Sequence, residues 1–262
     1  MKVLVANDDG IHANGIRTLV EYLSRQFEVY VAAPDRERSA TGHALTLHKP
    51  IRVDELDMGI PVKKAYSVTG TPSDCVKIAL NAILDIKPDI VVSGINHGPN
   101  LGVDVLYSGT VSAALEGAIH GLPSVAISLT NGYERMADFS HGAEFLCCYL
   151  PKVLEIGMPA KTILNINIPA IPLSEMTGIK LTQLGTRMYT DTYERRVDPR
   201  GLVYYWLAGE IAETGEPEGT DVHAIRNNMI SVTPVHIDMT NYQVLKDQVD
   251  SLEIMGCVRE LL

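Results

Sequence analysis

The chain has 262 residues, 46% hydrophobic and 21% charged, an ordinary globular balance that excludes a disordered chain and is long enough to bury one large core. Lys and Arg total 22 against 32 Asp and Glu, and the resulting formal charge of -10 repels nucleic-acid backbones and anionic membrane surfaces. The first apolar stretch, Val3 to Ala6, breaks on Asp8 and Asp9, so no signal-peptide core or membrane span is expected and the protein is expected in the cytoplasm.

Short, nearly continuous Val- and Ile-rich runs at Lys2 to Ala6, Glu28 to Ala33, Asp89 to Val92, Ser124 to Leu129 and Thr162 to Ile168 predict parallel strands covered on both faces. Between them, Ile16, Leu19, Val20 and Leu23, then Val76, Ala79, Leu80, Ile83 and Leu84, then Val111, Ala114, Leu115, Ala118 and Ile119 follow the spacing of one buried helical face. Strand and helix thus alternate over residues 1–170, which predicts a doubly wound, mostly parallel α/β sheet. Gly132 to Asp138 is expected as a surface loop and Ala143 to Leu154 as another amphipathic helix. Beyond Pro169 the chain changes character. Ile179 to Gly185, Arg187 to Val197 and Leu202 to Ala208 are rich in Thr, Tyr and Val around Asp198-Pro199-Arg200-Gly201 and predict an antiparallel β-hairpin extension. An acidic loop, Gly209 to Thr220, follows, and Tyr242, Leu245, Val249 and Leu252 stripe a terminal helix that needs a groove on its own or a neighbouring subunit. The whole is expected to be a single α/β domain over residues 1–262, with 171–262 given to assembly. Cys75, Cys147, Cys148 and Cys257 form no Cys-x-x-Cys and are expected to be unpaired thiols.

In an open α/β sheet, ligands bind beyond the carboxyl ends of the strands. Asn7-Asp8-Asp9-Gly10, Asp35 to Gly42, Thr69 to Asp74 and Ser93 to Gly102 all sit there. Adjacent Asp8 and Asp9 can aim at one point and repel each other unless a proton or cation intervenes, although Asp and Gly also simply favour turns. With Ser39 and Asn96 they make a hard oxygen set that suits Mg²⁺ or Mn²⁺ better than zinc. Ser108-Gly109-Thr110 opens the Val111 helix, either as an ordinary cap or as a phosphate site made of free N–H groups and hydroxyls. No dinucleotide fingerprint, Walker loop or Gly-x-Ser-x-Gly elbow is present. His12, His43 and His97 lie in the edge loops without a partner at zinc spacing and are expected to be hydrogen-bonding residues.

These motifs, with Tyr107 to Ala114 and weaker echoes at Asn165 to Pro169, Thr220-Asp221 and Thr233-Pro234, closely resemble the SurE family of stationary-phase survival proteins. The resemblance implies a Rossmann-like core and a metal-dependent phosphatase acting on nucleoside 5′- and 3′-monophosphates and, in some members, short polyphosphate. It further implies one divalent cation per subunit, held by Asp8, Asp9, Ser39 and Asn96, with Asp8 and Asp9 catalytic. Phosphate would then meet Ser108, Gly109, Thr110, Asn96 and Gly42, and assembly would be a homodimer or homotetramer made by exchange of carboxyl-terminal elements. A zinc deacetylase using Asp9 and a loop histidine, and a nucleotide-sensing module that binds without cutting, are the competing expectations. The first needs a His-x-x-His pair that the chain lacks.

Overall fold

The computed structural model describes residues 1–130, 137–186, 192–209 and 215–248. Its strands are β1 (Lys2–Ala6), β2 (Glu28–Pro34), β3 (Val53–Glu55), β4 (Lys64–Val68), β5 (Ile90–His97), β6 (Ser124–Leu129), β7 (Thr162–Ile168), β8 (Gly178–Leu181), β9 (Thr192–Val197), β10 (Val203–Ala208) and β11 (Met229–His236). Its helices are α1 (Asn14–Leu23), α2 (Pro72–Ile78), α3 (Gly109–Ile119), α4 (Ser140–Ile156), α5 (Asp221–Arg226) and α6 (Tyr242–Gln248).

The main sheet runs β3-β4-β2-β1-β5-β6-β7-β11-β8. Six neighbours, β4-β2-β1-β5-β6-β7, are parallel, while β3 pairs antiparallel with β4 and β11 antiparallel with β7. The chain leaves β1 in one direction for β2 and β4 and returns to its other side for β5, β6 and β7. This is the Rossmann-like order, whose switch point opens a crevice between the carboxyl ends of β1 and β5. The continuous apolar runs follow from burial on both faces. Val3, Val5, Val29, Val31 and Ala33 pack with α1 and α4, and Leu4, Ala6, Tyr30 and Ala32 pack with α2 on the other side. Helix α1 buries its predicted face of Ile16, Leu19, Val20 and Leu23 completely, each large aliphatic side chain contributing about 1.5–3 kcal/mol. Helix α2 starts where Thr71 and Asp74 cap each other reciprocally ahead of Pro72.

Four sequence expectations change. The apolar stripe from Val76 to Leu84 is not one α-helix, because α2 ends at Ile78 and Ala79–Ile83 forms a wider π-helical turn that leaves Leu80 and Ile83 only partly buried. Ile119 is 45% exposed, because α3 packs through Ala113, Ala114, Gly117 and Ala118 and Ile119 falls outside that buried face. Ile179 to Leu181 does not join the hairpin, because β8 instead pairs parallel with β11 at the edge of the main sheet. Strand β11 itself went unpredicted, and its Pro234 is tolerated beyond the last β8 pairing, where that side of the strand has no ladder to donate to.

The predicted hairpin is present as β9 and β10, closed by Gly201 N–H donating to Asp198 O at 3.0 Å. Expectations for residues 132–136, 187–191, 210–214, Val249, Leu252 and Cys257 fall outside the described residues; Cys75, Cys147 and Cys148 are free thiols. Among the described residues no helix is long and apolar enough to cross a membrane.

Helix α3 approaches the sheet closely at Gly117, where an added Cβ would lie 2.5 Å from Ser124 Oγ and 2.8 Å from Val91 Cβ. Gly117→Val should therefore cost about 1–3 kcal/mol through overpacking, measured as a lower urea midpoint with an unchanged slope.

Candidate active site at the switch point

Asp8 leaves the end of β1 directly beneath the first turn of α3. Its side chain is 4% exposed, and its Oδ1 accepts the Thr110 hydroxyl. Gly109 is there because nothing larger fits, since a Cβ at that position would lie 2.7 Å from Asp8 Cβ and 2.9 Å from Oδ2. The Ser108 hydroxyl oxygen accepts from Val111 N–H at 3.0 Å and caps the helix. Of the two hydroxyls expected to meet phosphate, Thr110 is thus spent on Asp8, while Ser108 accepts through its oxygen and keeps its proton to donate.

Asp9 points to the other side of the crevice, where Oδ2 accepts His97 N–H at 3.1 Å. The His97 ring stacks on Phe139 at 4.8 Å, and burial holds its pKa below the ordinary value. Asn96 lies at the end of β5, just past a register shift between Ser93 and Asn96. Its Nδ2 donates to Gly98 O at 2.8 Å, which leaves the amide oxygen as the end that can take a ligand. Ser39 is exposed and donates to Glu37 Oε1 at 2.8 Å. Glu37 is near enough for its charge to push Asp9 upward. Gly42, at φ +56°, donates its N–H to Tyr107 O at 3.0 Å, one residue before the α3 cap.

The electrostatics of the carboxylate pair are out of balance. Burial, then the charge of Asp9, pushes Asp8 from 3.8 up to about 7, against the help of Thr110. Burial pushes Asp9 up to about 6, against the His97 N–H. Two carboxyls held in one crevice, with no cationic side chain bonded to either among the described residues, are what a divalent ion relieves. The residues fit such an ion, with two carboxylates, the free Asn96 amide oxygen, and a Ser39 hydroxyl whose lone pairs remain while its proton rests on Glu37. Among the described residues no three His, Cys, Asp or Glu side chains gather at one point, so an ion in this crevice would rest on Asp, Asn and Ser oxygens.

Several supporting residues escaped the sequence analysis. Asn100, in the loop after β5, gives Nδ2 to Ser128 Oγ at 2.8 Å, and its carbonyl accepts Asn165 Nδ2 at 2.8 Å and Asn167 Nδ2 at 3.1 Å. Asp221, wholly buried, accepts Gly102 N–H at 2.9 Å and Gly185 N–H at 2.8 Å. The available signal was a pair of asparagines two apart on one face of the apolar β7 run.

The fold and site define a Rossmann-like α/β protein with a carboxylate pair at the sheet's switch point, Asp8 buried and Asp9 partly so, facing a helix N-terminus. The family model described as Survival protein SurE matches residues 3–191, and the chain belongs to that family. A Moorella thermoacetica protein named 5′-nucleotidase SurE is 52% identical over 242 residues, 92% of each chain. One of the same name from Synechococcus elongatus is 50% identical over 260 residues, 96% of this chain and 99% of its own. The crystal structure of the SurE protein from Aquifex aeolicus superimposes with a TM-score of 0.81 at 43% identity, covering 94% of this chain and 98% of that one.

The raised carboxyls make stability depend on pH. With folded values of about 7 and about 6 against 3.8 unfolded, the folded chain holds more protons between those limits. Metal-free stability should accordingly fall as pH rises from about 4 to 7. Asp8→Asn keeps the acceptor for Thr110 and removes the larger share of that slope, so in EDTA at pH 7.5 (~0.5 above the upper limit) it should melt no lower than wild type in calorimetry. A mutant melting well below wild type would mean that the Asp8 carboxylate stabilises the metal-free fold, and the pH argument would fail.

Proposed function

We propose that this protein is a divalent-metal-dependent 5′-nucleotidase, hydrolysing nucleoside monophosphates to nucleoside and phosphate. The observation that carries the reading is the Asp8–Asp9 pair at the switch point, with Asp8 buried and closed on one side by the N-terminus of α3. The names of the relatives support the substrate class. Activity on 3′-nucleotides and short polyphosphate is proposed with it, as the resemblance implies.

Asp8, Asp9, Ser39 and Asn96 would hold one Mg²⁺ or Mn²⁺ per subunit. Such an ion, when bound, supplies a Lewis acid for a phosphate oxygen and lowers the pKa of a water. Asp8 is fixed by Thr110 and acts as a ligand that cannot swing. Asp9 is less enclosed and keeps one carboxylate oxygen beyond its bond to His97, so it is the group to take the proton of the attacking water. Ser39 and Asn96 add donors without charge, which keeps the site from repelling a dianion more than two carboxylates already do. Ser108 O–H and the Gly109 N–H at the start of α3 would donate to phosphate oxygens, where the helix dipole favours negative charge.

The assay is phosphate release from AMP with Mg²⁺ or Mn²⁺, expected to vanish in EDTA. Release in EDTA would end the metal reading, and binding of AMP without turnover would make the protein a sensing module. Ser108→Ala should cut kcat by roughly a hundredfold or more, the loss of one positioned donor at about 2.7–4 kcal/mol, while metal affinity stays near wild type. Thr110→Val should instead weaken metal binding, because it frees Asp8.

We also propose that the protein is a homodimer or homotetramer joined through its carboxyl-terminal elements. The β9–β10 hairpin exposes Tyr193, Tyr205, Trp206 and Leu207, β8 exposes Ile179 and Leu181, and α6 exposes Tyr242 and Leu245. That much apolar surface on one segment marks an interface. Trp206→Glu, or removal of residues 242–262, should lower the mass in light scattering; an unchanged mass in both would place assembly elsewhere.

A further inference from the structure

The connection from Asp35 to Arg52 carries both Ser39 and Gly42 but has no helix or strand of its own, and most of it is exposed. Its shape comes from bonds to other elements. Arg38 N–H donates to Asp8 O at 2.7 Å, Gly42 N–H to Tyr107 O at 3.0 Å, and Thr71 Oγ1 to Ala44 O at 2.7 Å. Thr46 N–H donates to the Asp74 carboxylate at 3.1 Å. Next to Gly42, His43 Nε2 meets Glu116 Oε2 at 2.9 Å, a side-chain hydrogen bond from this connection to α3.

Glu116 is an odd residue for its place. It lies midway along α3, 2% exposed, and its other oxygen takes Lys77 Nζ from α2 at 2.9 Å, with His120 Nδ1 at 3.5 Å. Burial raises the carboxyl, and the bonds from His43 and Lys77 outweigh it, so the group stays below the ordinary glutamate range. Joining α2 to α3 alone needs no charge, since an apolar side chain of like volume does that as well or better. What an apolar side chain cannot do is hold His43.

We propose that Glu116 is a positioning residue of the active site, which through His43 fixes the Ser39–Gly42 segment against the start of α3. The effect on the metal rests on the proposed function, in which Ser39 is a ligand and Gly42 borders the phosphate. Neither Glu116 nor His43 touches Asp8 or Asp9 in this arrangement, so their action is through the backbone of the connection.

Glu116→Ala would strand Lys77 and His43 together and disturb α2–α3 packing, so the test uses His43 and Lys77 in the full chain. His43→Ala should speed amide exchange across residues 39–47 and weaken Mn²⁺ binding, titrated by electron paramagnetic resonance, by about tenfold, the usual scale for an outer-shell partner. KM for AMP should rise with it, while the melting temperature moves by no more than about 2 °C. His43→Gln, which can still donate to Glu116, should recover most of both effects. Lys77→Met should lower the melting temperature and leave exchange in 39–47 and Mn²⁺ affinity at wild-type values. Wild-type exchange in His43→Ala overturns the proposal, as does faster exchange with unchanged Mn²⁺ affinity and KM. Equal loss of Mn²⁺ affinity in Lys77→Met overturns it too, by making Glu116 a general brace. Should the wild-type chain bind no Mn²⁺, the metal reading fails separately, and exchange together with KM for AMP decides the role of Glu116.

Discussion

A carboxylate taken out of water must find its compensation within the protein, and Asp8 finds it at the start of α3. The Thr110 hydroxyl bonds to it, and Gly109 lets the helix come within contact of its Cβ. A helix N-terminus is worth about 0.3–1 kcal/mol to an anion and up to ~2 when partly buried. That is too little to offset desolvation with a second carboxylate alongside, which is why Asp8 stands at about 7 rather than 3.8. The placement of α3, the Rossmann-like crossover that delivers it, and the absence of a side chain at position 109 all serve this one contact.

The sheet supplies the rigid frame, and apart from Ser124 at the start of β6 the parallel strands bury their polar groups at mid-strand or toward the carboxyl edge. Ser93, Ser128, Asn165 and Asn167 are buried there among Val and Ile, an expensive arrangement unless each finds a partner. Asn100 answers for three of them by folding its loop back onto β6 and β7. Asn7 Oδ1, Ser93 Oγ and Asn165 Oδ1 stay without a protein partner. These oxygens lie on the turn after β1 and within β5 and β7, and all three belong to fully buried residues.

Much of this was legible in the sequence, for reasons specific to each element. The α1 face could be read residue by residue because local spacing alone decides which side of a surface helix is buried. The loops bearing Asp8, Asp9, Ser39 and Asn96 could be placed at one edge because parallel topology leaves them nowhere else to go. The direction of Thr110 could not be read, since its bond to Asp8 joins residues 102 apart and competes with an equally good capping role. Glu116 could not be singled out, because a hydrogen bond with a histidine 73 residues away leaves no local pattern. Strand β8 departs from expectation for a related reason: its short Ile-Lys-Leu run fits any antiparallel partner, and β11, hidden by Pro234, is the true one.

Asp221 has a consequence for the order in which the molecule becomes competent. Its carboxylate ties Gly102, in the loop that leads to the α3 cap, across 119 residues to the base of the hairpin segment at Gly185. A chain emerging from the ribosome can pair β1, β2, β4, β5, β6 and β7 before that aspartate exists, because domains fold from the amino end as they are made. The Gly102 amide, however, lacks its acceptor until residue 221 has been added. Nascent chains stopped short of that point would possess the parallel strands β1, β2, β4, β5, β6 and β7 and both carboxylates with the capping loop still unanchored, so synthesis itself postpones a finished crevice until the hairpin segment has also appeared.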